Sequence, residues 1–174
     1  MKFWAALPIC LVLAGLGACS PALDWRETAA EGSGVVAMFP CRPDHHARTL
    51  ELAGSKLKME MLVCRADGAT YALSFADVPE PAQVAPALAA LRSAALRNVQ
   101  AAAPQMVPAR IGGMTPNVEA VRLATAGRLP DGASVRAEMV FFAKGLRVYQ
   151  GSVVGAQPGA EANEIFFAGF RFPA

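Results

Sequence analysis

The stretch Leu57–Phe75 reads LKMEMLVCRADGATYALSF, and its pattern decides the fold class of this chain. Apolar residues recur with a period of two on each side of Asp67-Gly68, a pair that is typical of tight hairpin turns. A period of two places successive side chains on opposite faces of an extended strand. The stretch therefore predicts two antiparallel strands, Lys56–Arg65 and Ala69–Val78, joined by a short turn.

Further extended segments flank this hairpin on both sides. Upstream, Gly34–Pro40 is a short apolar run that ends at a proline, and His46–Leu52 leads into Lys56–Arg65 through the turn-like Ala53-Gly54-Ser55. Downstream, four segments are predicted to be strands: Met106–Ile111, Val118–Ala126, Ser134–Ala143 and Leu146–Val154. Short turns join the last three, so we predict that they form an antiparallel meander.

Two segments have the pattern of helices. Pro86 and Pro104 bound the longer one, and Pro86 suits a first helical turn because its missing N–H needs no partner there. Its apolar stripe recurs at helical spacing, at Leu88, Leu91, Ala95, Val99 and Ala102. The second helix is predicted over Ala160–Ala168, before a phenylalanine-rich end. We therefore predict an α+β fold, an antiparallel sheet with one central amphipathic helix and a C-terminal helix.

Length and composition indicate one folded domain. With 174 residues, 54% of them hydrophobic and 17% charged, the chain can bury a core and is too apolar for disorder. The formal net charge of +2 argues against a nucleic-acid partner. We expect a single α+β domain over residues 34–174.

The N-terminus has the three parts of a secretory signal. Met1-Lys2 gives a positive start, Phe3–Ala14 is uncharged and apolar, and small residues follow. The run Leu16-Gly17-Ala18-Cys19 resembles the lipobox of bacterial lipoproteins. The resemblance implies a signal peptide over 1–18, cleavage before Cys19 and diacylglycerol on its sulfur.

The same resemblance implies a location. Ser20 is not the aspartate that retains such proteins in the inner membrane, so we expect a lipid anchor at the periplasmic face of the outer membrane. Residues 19–33 are predicted to be a lipidated N-terminus and tether, with Trp25 either docked on the domain or at the lipid headgroups. An ordinary signal cleaved elsewhere and an uncleaved anchor are the alternatives. Phe3–Cys19 is shorter than the about 20 residues of a spanning helix, and Pro8 interrupts it.

Two cysteines remain after this processing. One cysteine leaves with the signal and Cys19 carries lipid, so Cys41 and Cys64 stay as an even pair. In an exported domain such a pair predicts a disulfide bond. The alternative is a metal or redox site that uses Cys41, His45 and His46. Adjacent histidines on an extended chain point to opposite sides, and no Cys-x-x-Cys spacing is present in the sequence, which favours the disulfide.

Three short motifs carry a resemblance of fold: Met38-Phe39-Pro40, Ile111-Gly112-Gly113 and Phe167–Phe172. Together with the order of the predicted elements, they resemble the PsbP-like α/β/α sandwich. Proteins of that fold act mostly as assembly or docking factors. The resemblance therefore implies a binding role more than catalysis.

Few residues of the sequence suit catalysis. Histidine is limited to His45 and His46, which leaves a serine or cysteine nucleophile few bases. Glu51 and Glu60 are expected to face each other across the first hairpin, but exposed carboxylates of this kind are usually solvated. The sequence holds neither a phosphate-binding glycine loop nor a zinc-protease helix motif.

Two classes of function follow from these patterns. The first is a non-catalytic module at the outer membrane that binds or helps to assemble a protein or envelope component. The second is a small-ligand or metal-binding periplasmic protein that uses Cys41, His45 and His46. We expect no enzymatic activity and no cofactor.

Overall fold

The computed structural model of the protein describes residues 23–29, 32–101 and 103–173. Its strands are β1 (Arg26–Ala29), β2 (Val36–Phe39), β3 (Asp44–Leu52), β4 (Ser55–Ala66), β5 (Ala69–Asp77), β6 (Gln105–Pro108), β7 (Val121–Arg128), β8 (Ser134–Lys144) and β9 (Arg147–Gly155). Its helices are α1 (Val84–Asn98), preceded by a 3₁₀ turn at Pro81–Gln83, and α2 (Ala160–Ala168). The predicted signal and the lipobox cysteine Cys19 lie outside the described residues.

Seven strands form one antiparallel sheet in the described part of the chain, in the order β3-β4-β5-β9-β8-β7-β6. The predicted hairpins β3–β4 and β4–β5 and the meander β7–β8–β9 are all present. β9 also pairs with β5, and this pairing joins the two halves of the chain into a single sheet. The α+β class, with an antiparallel sheet and two helices, is confirmed.

Two hairpin turns have the backbone conformation that a two-residue loop requires. Both residues of Ala53-Gly54 and of Asp67-Gly68 have positive φ, at 50° and 79° and at 48° and 70°. This is the signature of a type I′ turn, whose twist matches that of the flanking strands. The first loop is one residue shorter than predicted, because Ser55 already pairs with Leu52.

The register of the first hairpin corrects one expectation. Glu51 is opposite Lys56, and Glu60 is opposite Ala47, so the two glutamates do not face each other. The reason is the two-residue turn, which fixes every pair along the hairpin. The prediction that Glu51 and Glu60 face each other across these strands is therefore wrong.

Strand alternation divides the residues of the sheet between two buried faces. The face that packs against α1, called the α1 face below, carries Met59, Leu123, Met139, Phe141 and Val148. The opposite face packs against α2 and the β1–β2 hairpin; this α2 face carries Tyr71, Leu73, Phe142, Tyr149 and Val153. Neighbouring residues such as Phe141 and Phe142 thus belong to different cores.

α1 confirms the predicted central helix. Its buried side chains recur on one stripe that contacts the α1 face, at Val84, Ala87, Leu88, Leu91 and Ala95. Pro86 lies in the first turn, where it breaks no hydrogen bond. After the last turn, Val99 O accepts the N–H of Arg128 at 2.7 Å. Gly127 permits this close approach, because a Cβ there would come within 1.9 Å of the same oxygen.

β7 begins later than the predicted segment Val118–Ala126. Asn117 Oδ1 accepts the N–H of Glu119 at 2.9 Å, and Asn117 O accepts the N–H of Ala120 at 3.1 Å. These bonds form a turn that leaves Val118 92% exposed. An asparagine side chain that accepts the backbone N–H two residues further on thus delays the strand.

Part of the segment 19–33, which was predicted to be a tether, belongs to the folded domain. Arg26–Ala29 forms β1 and pairs with β2. The Trp25 ring packs edge-on against Tyr71 with 6.3 Å between ring centroids, and Leu23 contacts the same core. The tether prediction does not hold for these residues, since two large apolar side chains gain by covering the α2 face. Docking of Trp25 on the domain is confirmed.

A buried tyrosine fixes the chain that leads into β2. The Tyr149 hydroxyl donates to Ser33 O at 2.5 Å, and the buried Ser33 accepts the N–H of Val35 on its Oγ at 3.1 Å. Nearby, the guanidinium of Arg147 donates to Gly32 O. Burial raises the pKa of Tyr149 to about 12, so its hydroxyl stays a donor at neutral pH.

Replacing Tyr149 with Phe tests this contact through its pH dependence. The pKa of Tyr149 is raised from 10.0 to about 12 in the folded protein. Its contribution to stability is therefore complete below pH 10 and is lost as the pH rises through about 12. In urea titrations at several alkaline pH values, we expect the free energy of unfolding to fall more steeply for the natural protein than for Tyr149→Phe. Parallel pH profiles would contradict a tyrosine held protonated by burial.

Candidate functional site

A cleft of about 510 Å³ lies on the α2 face, between α2 and the strands β7 and β8. It exists because α2 and the β1–β2 hairpin cover the centre of the sheet and leave the β7 flank exposed. The apolar part of its lining consists of small residues, among them Ala124, Ala126, Ala137, Pro158 and Ala160. The polar part comes from the sheet and from α2, with Gln105, Arg136, Glu138, Asn163 and Glu164.

Strand register explains how the polar lining is positioned. Ala124 of β7 is opposite Glu138 of β8, and Ala126 is opposite Arg136. These side chains share the α2 face because opposite residues of an antiparallel pair point to the same side. The first turns of α2 bring Asn163 against Glu138. The cleft therefore forms where the α2 face of β7 and β8 meets the first turns of α2.

Arg122 of β7 joins the sheet to α2. Its Nε donates to Glu138 Oε1 at 2.7 Å, and its Nη2 donates to Glu164 Oε1 at 2.6 Å. The guanidinium also lies over the Phe167 ring, 4.6 Å from the ring centroid. Burial opposes the charged form of Arg122, but its hydrogen bonds to Glu164 and Glu138 outweigh burial and raise its pKa. One permanent cation thus fixes the helix on the strand.

Asn163 is a buried polar residue with incomplete hydrogen bonding. Its Nδ2 donates to Glu138 Oε2 at 3.0 Å. This contact fixes the orientation of the amide, because the reversed amide would aim its oxygen at a carboxylate. Oδ1 is buried and meets no donor within the described residues. An unpaired buried acceptor costs about 1–3 kcal/mol, which a donor from a bound group or an ordered water can recover.

The chemistry of the cleft suits noncovalent binding. Hydrogen-bonding groups at Glu138 and Asn163 lie beside small apolar side chains that leave room for a ligand. A few fixed polar groups within an apolar lining are the usual composition of a binding site.

The two cysteines that were predicted to pair form a disulfide bond. Cys41, just after β2, is joined to Cys64 of β4, with 5.9 Å between their Cα atoms. The bond links positions 23 residues apart, which removes chain entropy from the unfolded state worth about 3 kcal/mol. It also removes Cys41 from the alternative metal site, because a ligating cysteine is a free thiolate.

The two histidines lie on opposite faces of β3, as predicted for neighbours on a strand. His45 Nε2 is 2.6 Å from Glu60 Oε2, and Lys58 Nζ is 2.6 Å from Glu60 Oε1. The hydrogen bond with Lys58 lowers the pKa of Glu60, against the opposing effect of burial and with further help from His45. His46 lines a separate cavity beside Cys41.

The structure therefore does not bring Cys41, His45 and His46 into one site. The disulfide occupies the sulfur, one histidine is bonded to a carboxylate, and the other faces away from it. Among the residues that the structure describes, no group of three or more metal-ligating side chains is present.

Sequence reasoning did not single out the residues of the cleft. Glu138 and Asn163 line the cleft and Arg122 binds Glu138 beside it, and these three residues come from elements that meet only in the folded chain. The sequence does hold one signal. Glu138 lies on the same face of β8 as the buried Val140 and Phe142, and a carboxylate on a buried face needs a partner.

The sequence matches no protein-family model, and no curated protein matches it. In the described ranges, no helix is both long and apolar enough to cross a membrane.

Proposed function

We propose that this protein is a bacterial lipoprotein of the outer membrane, facing the periplasm, that binds a protein or envelope component without catalysing a reaction. The observation that carries the binding role is the cleft between α2 and the β7 flank. There, Glu138 and Asn163 hold fixed hydrogen-bonding groups beside small apolar residues. The cleft is already formed in the free chain, as binding sites usually are.

Two features support the proposed location. Leu16-Gly17-Ala18-Cys19 resembles a lipobox. The Cys41–Cys64 disulfide agrees with maturation in an oxidising compartment outside the cytosol. Each buried methylene of a lipid chain contributes about 0.8 kcal/mol, so two or more chains on Cys19 make a stable anchor.

The layer order supports the proposed likeness to the PsbP-like sandwich. α1 covers one face of the sheet and α2 covers the other, which is an α/β/α arrangement. Met38-Phe39-Pro40 spans the end of β2. Phe167 and Phe170, near the C-terminal end, are buried. Docking and assembly are the roles that this likeness implies.

Substitution of the proposed lipidated cysteine tests the location. In fractionated envelopes, we expect the natural protein in the outer membrane and Cys19→Ser outside it, because serine cannot form the thioether. Cys10→Ser, which changes a cysteine within the predicted signal, is the matched control and should fractionate like the natural protein. Mass spectrometry of the N-terminal peptide reports the acyl chains directly. Outer-membrane retention of Cys19→Ser would overturn the anchor.

A photoreactive amino acid in the cleft tests the binding role in intact envelopes. At the exposed position Ala126, inside the cleft, we expect a crosslinked product of defined mass. At Ala47, which is also exposed and lies on β3, we expect none. Asn163→Leu should weaken crosslinking, because it removes both the hydrogen bond to Glu138 and the unpaired acceptor Oδ1. Circular dichroism checks that this variant is folded. Equal products at both positions, or none at Ala126, would contradict binding through the cleft.

A further inference from the structure

We propose that the domain lies directly on the lipid surface, with the end of the sheet that carries the Cys41–Cys64 disulfide facing the headgroups. The opposite end then points into the periplasm. This inference deepens the proposed function and rests on the proposed lipidation of Cys19.

The chain between the proposed anchor and the folded domain is short. Leu23 contacts the core, and the N–H of Asp24 donates to Pro40 O at 2.8 Å. Only four residue steps separate Cys19 from Leu23. Because an extended chain spans at most about 3.6 Å per residue, Leu23 lies within about 14 Å of the lipidated residue.

Several contacts place this attachment point at one end of the sheet. Trp25 packs on Tyr71, and Tyr71 is paired with Cys64 across β4 and β5. Cys64 is bonded to Cys41, and the Asp67-Gly68 turn closes the same end of the hairpin. These residues define the disulfide end of the domain.

The opposite end of the sheet is far beyond the reach of so short a connection. β9 begins at Arg147 and ends at Gly155, which pairs with Ala69 beside the disulfide end. Its nine residues, at about 3.3 Å each, span about 30 Å. Leu146, which is 41% exposed, lies just beyond Arg147 at the far end. An anchor within about 14 Å of Leu23 therefore orients the domain with Leu146 away from the lipid.

Charge does not determine this orientation. At the disulfide end, exposed charges of both signs are interspersed: Arg42, Arg65, Arg128 and Arg136 with Asp44, Asp67 and Asp131. Attraction to anionic lipid is therefore weak, and the short connection sets the geometry. Added salt, which screens exposed charges, should change the orientation little.

The orientation also sets the height of the cleft above the lipid. One row of paired residues crosses the sheet from Cys64 through Tyr71 and Val153 to Glu138, which lines the cleft. A row of paired residues runs perpendicular to the strands, so it lies parallel to the proposed lipid surface when the disulfide end faces the headgroups. The cleft therefore opens at the height of Trp25, where it suits a group that is itself held at the membrane.

Tryptophan fluorescence tests the orientation. The sequence has two tryptophans, and the other one lies in the predicted signal, so Trp25 is the reporter in the processed protein. The acylated protein is placed in phosphatidylethanolamine–phosphatidylglycerol vesicles that carry a nitroxide on some headgroups. Because Trp25 lies within six residue steps of Cys19, we expect about a twofold loss of its emission. A far-end reporter, Trp25→Phe with Leu146→Trp, should lose little.

A lengthened connection provides the second arm of the test. About 20 Gly and Ser residues inserted after Ser20 extend the reach by roughly 25 Å, so quenching of Trp25 should fall toward the far-end value. Equal quenching of Trp25 and of the Leu146→Trp reporter, with acylation verified by mass spectrometry, would overturn the orientation and leave the proposed function standing. A purified protein without acyl chains would overturn the proposed function, and this inference with it.

Discussion

The cleft depends on one arginine that holds a strand and a helix together. Arg122 binds Glu138 of β8 and Glu164 of α2, and its guanidinium covers the Phe167 ring. The side chains of Arg122 and Glu138 are 26% and 20% exposed, so water and salt screen this pair less than an open surface pair. A nine-residue helix fixed in this way keeps its place on the sheet and leaves the β7 flank free.

The wide sheet explains why such a flank exists. Seven strands present two faces, and each face has only one helix among its covers in the described residues. The centre of the α2 face is closed by α2, by the β1–β2 hairpin and by the C-terminal phenylalanines, while its edges stay open. The same hairpin brings Trp25 onto the core beside the proposed anchor. Fold, attachment and cleft thus follow from how one sheet face is covered.

Much of the fold was predictable because its signals are local. Period-two alternation and the Asp67-Gly68 turn predicted the central hairpin, and the even pair Cys41 and Cys64 predicted the disulfide. β1 was missed because Arg26–Ala29 has no apolar alternation and forms only against β2. The cleft was missed because alternation shows which residues share a face of the sheet, and only the packing of α2 shows which part of that face stays open.

A double-mutant cycle on the Arg122–Glu138 pair tests this account most directly. Free energies of unfolding are measured in urea for the natural protein, Arg122→Met, Glu138→Gln and the double variant, with Arg26→Met and Asp24→Asn as the exposed control pair. We expect a coupling energy of about 1–2 kcal/mol for Arg122 and Glu138, and less than about 0.5 kcal/mol for the control pair, which is more than half exposed. A coupling no larger than that of the control would contradict the claim that Glu138 holds the Arg122 guanidinium in the position from which it binds Glu164 of α2 beside the cleft.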